Sequence, residues 1–140
     1  MRKLIWLLPL ILVSGCNTKS LRTANYDLAN AINKAAISTV QLGQQGVISA
    51  SDENTILPIF YTMSQESDAI TACIDNTNAG GNAAGCITPI LTAINSQAAQ
   101  ASLGVKTTTA QATVSTLITG ITAIFVEFEN AGAQAPAGSN

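Results

Sequence analysis

Residues 107–130 read TTTAQATVSTLITGITAIFVEFEN, and the period chosen for this stretch decides the fold. Threonine, valine and isoleucine are frequent enough to suggest a strand. The large apolar residues nevertheless recur at three-and-four spacing: Val114, Leu117, Ile118, Ile121, Ile124, Phe125 and Phe128. That spacing continues without a turn signal and specifies one face of a helix over 108–130. Thr107 or Thr108 can cap it, and Thr108 with Gln111 makes a weak capping box. Gly120 costs such a helix about 1 kcal/mol relative to alanine, which implies close packing against a neighbour. Glu127 and Glu129 near its end oppose the helix dipole and mark a solvated side.

Three more helices precede it. Leu21, Leu28, Ala35 and Leu42 recur every seven residues, with Ala24, Ala31 and Ser38 three positions further on, and Ile32 and Val40 widen the stripe. This predicts a first helix over 21–47 with narrow, coiled-coil-like packing, ended by Gly43 and Gly46. Residues 48–56 read as a connection. Ser51 before Asp52 and Glu53 can open a helix, but Pro58 would then fall inside it. Using Pro58 in the first turn predicts a second helix over 57–74, with Ile59, Phe60, Met63, Ser67, Ile70 and Ile74 inward and Gln65, Glu66 and Asp68 outward. Thr88 as cap and Pro89 at the first helical position predict a third helix over 89–103, carrying Ile90, Leu91, Ile94, Ala98 and Ala101 and stopped by Gly104. The chain therefore reads as an all-α, up-down bundle of about four helices over 21–130. A disordered tail of small residues is expected over 131–140.

The N-terminus carries a different message. Arg2 and Lys3 precede an apolar run from Leu4 to Val13, which ends in small residues before Cys16. These are the three parts of a secretory signal. The run holds Pro9 and falls well short of the roughly 20 residues needed to span a bilayer as a helix. Val13-Ser14-Gly15-Cys16 resembles the lipobox of bacterial lipoproteins. The resemblance implies removal of residues 1–15, a lipid (palmitate among its acyl groups) on Cys16, and a short lipidated tether over 16–20. Asn17 stands where aspartate would retain such a protein in the inner membrane, so outer-membrane sorting is implied in a Gram-negative host.

Export also bears on the cysteines. Cys16 belongs to the processing site, leaving Cys73 and Cys86 as a pair, and two cysteines in an exported domain are expected to be bridged. Two free thiols are the alternative. A bridge would close the Asn/Gly-rich loop 75–85, whose composition suits turns, and would hold helices two and three antiparallel.

Chemistry is hard to find. The chain has no histidine, the commonest general base and a frequent zinc ligand. No cysteine pair has CxxC spacing and no serine sits in a GxSxG elbow. Lys34 and Lys106 could partner a serine only on paper; both read as solvated surface. Glu66 with Asp68, and Glu127 with Glu129, are two apart and so on different helix faces. Asp52 and Glu53 read as helix-start charges. The run Asp75-Asn76-Thr77-Asn78 lacks the acid spacing of a calcium loop, and Gly80, Gly81 and Gly85 do not make a phosphate loop. No catalytic, cofactor or metal residue is assigned.

Charged residues are only 10% of the chain, against roughly 25% in ordinary soluble domains. After Cys16, acids outnumber Lys19, Arg22, Lys34 and Lys106, and no basic stripe exists to hold nucleic acid. Aromatic residues read mainly as core, with Tyr61 the one expected at the surface and no ladder for bases or sugars. The resulting expectation is a non-enzymatic envelope lipoprotein. It would be anchored in membrane lipid through Cys16 and engage an envelope protein or its own copies, with loop 75–85 as a candidate contact. The alternative is a binding module for a small apolar or lipid-like ligand, lined by Ile59, Ile90, Ile121 or Phe125.

Overall fold

The first buried line on the chain is Leu21, Ala24, Leu28, Ile32 and Ala35, the predicted seam of helix one. A computed structural model describes residues 8–77 and 83–133, with side chains from Leu21 onward except at 77 and 84. Residues 1–7 of the expected signal, the loop centre 78–82 and residues 134–140 lie outside the described residues. All regular structure among the described residues is helical: α1 (Leu8–Gln44), α2 (Ala50–Thr77), α3 (Ala83–Gly104), α4 (Thr108–Thr122) and α5 (Phe125–Asn130).

Helix α1 begins well before residue 21. No breaker stands between Gly15 and Leu21, and Pro9 falls in its first turn, where a missing N–H costs nothing. The expected tether 16–20 is thus continuous with the domain helix. At its other end Gly46 takes φ 72, Val47 N–H donates to Leu42 C=O at 2.9 Å and Gly46 N–H to Gly43 C=O at 3.0 Å. This six-to-one and five-to-two pair is a Schellman closure, which needs a residue comfortable in the left-handed region.

Both internal prolines were expected at helix starts, and both lie inside longer helices. Helix α2 starts at Ala50, capped by Ser49 rather than Ser51: Asp52 N–H donates to Ser49 Oγ at 3.1 Å. The reason is packing. Ile56 and Ile87 each lie two residues before a proline, in phase with the buried lines that follow, and both are 0% exposed. An interior proline costs about 3 kcal/mol, and burying an isoleucine recovers about 1.5–3 kcal/mol of it, with cap and first-turn contacts adding to that. Pro58 and Pro89 themselves face solvent.

Cross-helix contacts set the topology. Arg22 meets Asp75, and Asn25 meets Ser67 and Thr71, so α1 and α2 run antiparallel. Asp52 meets Lys106, and Cys73 is bonded to Cys86 with Cα atoms 6.1 Å apart, so α2 and α3 do too. Helix α4 packs on α1 and α3, and α5 returns to α1. The core runs through all of them, with Phe60, Met63, Ile70, Ile74, Leu91, Ile94, Val114, Ile121, Phe125 and Phe128 among its buried members.

The segment 107–130 is helical, as its period requires. Thr107 is the cap (φ −92, ψ 145), accepting from Ala110 N–H at 3.3 Å. Gln111 turns instead to Val105, donating from Nε2 to its carbonyl at 3.0 Å, so the Thr108–Gln111 box does not form. The single helix expected over 108–130 tightens at Ala123 and Ile124, where Ile124 N–H reaches Ile121 C=O at 3.2 Å. By length and composition Thr108–Asn130 could cross a membrane; here its apolar stripe is packed in the bundle.

Two further expectations change. Ala131 and Ala133 are buried, and Ala133 N–H donates to Phe128 C=O at 2.9 Å with Gly132 at φ 98. The start of the expected disordered tail is thus a second Schellman closure. Gly120 is exposed, and a Cβ there would meet nothing within 4 Å, so close packing does not explain it. Gly120→Ala is expected to stabilise the domain by about 1 kcal/mol, read as a raised urea midpoint with an unchanged slope.

Candidate functional site

The sequence candidates are scattered by the fold. Lys34 and Lys106 are exposed, as are Asp68 and Glu129. Asp52 is 2% exposed. Its Oδ1 accepts from Lys106 N–H at 3.3 Å, tying the α3–α4 turn to the start of α2, while Oδ2 has no protein partner. Among the described residues no three acidic or cysteine side chains gather as a metal site would require. The loop between Cys73 and Cys86 is shorter than expected, because α2 runs to Thr77 and α3 begins at Ala83. Asp75, expected in this loop, belongs to the last turn of α2 and is ion-paired with Arg22 at 2.7 Å.

One carboxyl pair was invisible in the sequence. Asp27 on α1 and Glu127 on α5 are brought together, and the Glu127 carboxyl is raised from its ordinary value of 4.5. Partial desolvation is the largest cause, followed by the hydrogen bond to Asp27 and the repulsion of its charge. A raised pKa makes the folded chain hold this proton more tightly than the unfolded one. The folded state therefore loses stability as pH rises from about 4.5 through the higher folded value, and no penalty exists below both. Glu127→Gln should thus stabilise the domain at neutral pH by a few tenths of a kcal/mol, a small effect because the pair is open to solvent. The gain should vanish below about pH 4, as parallel thermal unfolding at the two pH values would show.

Among the described residues, α1 and α2 form a surface groove between them. Its floor is set by the antiparallel crossing of the two helices, where Asn25 is buried and fully engaged. Asn25 Nδ2 donates to Ser67 C=O at 3.1 Å and to Thr71 Oγ1 at 2.8 Å, and Ser67 Oγ donates back to Asn25 Oδ1 at 2.9 Å. With Asn25 and Ser67 buried and both partnered, this polar cluster fixes the register of one helix on the other. Above it lies a depression of about 270 Å³ bounded by Arg22, Tyr26, Asp68 and Thr71. A second, of about 520 Å³, follows along α1 and is bounded by Asn30, Asn33, Ala36, Leu57, Tyr61 and Ser64. The two adjoin at Ala29.

Tyr26 and Tyr61, each 68% exposed, stand on this groove. Tyr61 was expected at the surface; Tyr26, beside the buried line of α1, was not. Periodicity places Tyr26 next to Asn25 and Leu28 without saying which side of the seam its ring takes. Ile121 and Phe125, two of the residues expected to line an apolar cavity, are buried in the core, and Ile59 and Ile90 pack against it. None of the four bounds either depression.

No family model, no curated protein and no solved structure matches this chain. Its function is therefore argued from its own residues.

Proposed function

We propose that this chain is a lipid-anchored lipoprotein of the bacterial cell envelope whose helical body serves a non-enzymatic interaction or structural role. The supporting observation is the placement of Cys16. It closes a basic, apolar, small-residue N-terminus and lies only five residues before Leu21, the first described core side chain. Because α1 is continuous through this interval, the lipid would sit about 7 Å of helix rise from the core. The body would be held directly at the bilayer, with its partner an envelope protein or a second copy. One acyl chain anchors only marginally and two or more anchor stably, so full lipidation is part of the proposal. Asn17 favours the outer membrane where the host has one.

The test is labelling with a palmitate analogue followed by membrane fractionation. The wild-type chain is expected to carry label and sediment with membranes, and Cys16→Ala to lose both. Membrane retention of unlabelled wild-type protein would refute the anchor. Affinity capture from membranes, with Cys16→Ala as control, then identifies partners that require it.

A further inference from the structure

We propose that the α1–α2 groove is a binding site for a neutral carbohydrate chain, with Tyr26 and Tyr61 as its stacking platforms. Three observations on the groove carry this. Its exposed aromatic surface consists of two tyrosine rings on adjoining depressions, each 68% exposed. Tyrosine offers a large face together with a polar tip, which suits ligands that are apolar on one side and hydroxylated at the edges. Between and beside the rings stand Asn30, Asn33 and Ser64, amide and hydroxyl groups that can donate and accept in turn. The groove runs from Arg22 to Ala36 along α1, about 20 Å, the reach of a short oligosaccharide.

The same groove suits an amphipathic helix poorly. Its apolar floor residues Ile32 and Phe60 are each 1% exposed, so a leucine-rich helix would bury little beyond Ala29, Ala36, Leu57 and the tyrosine faces. Charge points the same way. Arg22 is already neutralised by Asp75, Asp68 is the remaining charge beside the first depression, and the second depression has no charged residue on its rim. A neutral ligand is matched along the second depression, where Asp68 lies off the rim, and with Arg22 paired an anionic polymer is not. Neither ring's role depends on the anchor at Cys16.

The chain contains only two tyrosines, so a tyrosine-selective signal reads the groove and nothing else. The full chain, labelled with 13C in its tyrosine rings, would be held in phosphocholine micelles, whose headgroup is not a sugar. It would be titrated with cellotetraose and with chitotetraose. Both ring signals are expected to shift saturably with at least one of the two, half-saturating on the order of 1 mM. Tyr61→Ala should weaken this roughly threefold to tenfold, the loss expected for one stacking face. Tyr61→Phe, which keeps the face, should retain it. Both substitutions lie outside the core, and an unchanged helical circular dichroism spectrum would confirm that each variant folds. Rings that ignore both sugars would overturn the assignment. So would binding unaffected by Tyr61→Ala, or rings that respond only to a leucine-rich helical peptide.

Discussion

Phe128→Ala should cost the domain about 3–5 kcal/mol, the largest loss expected from any single substitution considered. Phe128 is 0% exposed and Phe125 is 1% exposed, and both belong to α5, which has only six residues. A helix that short has no stability of its own in water; it exists because its two rings are sunk between the other helices. Removing one leaves a cavity the bundle can close only in part, and it also releases the closure in which Phe128 C=O accepts from Ala133 N–H. Urea unfolding should show a lower midpoint with little change in slope. Hydrogen exchange at Ala131 and Ala133 should rise to the level of a frayed end. A loss below about 1 kcal/mol would mean that α5 can detach without disturbing the core.

Removing the disulfide ranks second. Cys73 and Cys86 are 13 positions apart, and closing a loop of that size stabilises by about 3 kcal/mol in the chain-entropy account. The double substitution Cys73→Ala/Cys86→Ala is therefore expected to lower the melting temperature by on the order of 10 °C. The bridge joins the end of α2 to the start of α3, where Ile74 and Ile87 are both buried in the core. The first helical ends to fray should be these two. An unchanged melting temperature in the double variant would show that helix packing alone defines the corner.

Much of this was legible beforehand because a helix exposes its packing in its period. Leu21, Leu28 and Ala35, the line from Phe60 to Ile74, and Val114, Ile121, Phe125 and Phe128 are buried where three-and-four spacing places them, with Leu117, Ile118 and Ile124 partly buried against the same core. Helix ends were less legible. Pro58 and Pro89 are good first-turn residues by local grammar, yet Ile56 and Ile87 extend the buried lines across them. The deciding energy is the burial of an isoleucine against another helix, and that quantity does not exist until the helices meet. Tyr26 illustrates the same limit at the groove. Its neighbours Asn25 and Leu28 are buried, and only the crossing of α2 determines that its ring remains outside.

The amino-acid sequence by itself determined the helical class and the four amphipathic stripes, and it pointed to the Cys73–Cys86 pairing. Each of these is local, or depends only on the period of side chains along a backbone of known geometry. Tertiary structure decided what no local rule contains. It carried two helices through their prolines and drew Ala131–Ala133 into the fold. It set the Asp27 and Glu127 carboxyls against one another across α1 and α5. It also left Tyr26 and Tyr61, far apart in the chain, standing over one groove. These outcomes depend on which surfaces the bundle buries against each other, and burial acts between segments rather than along them.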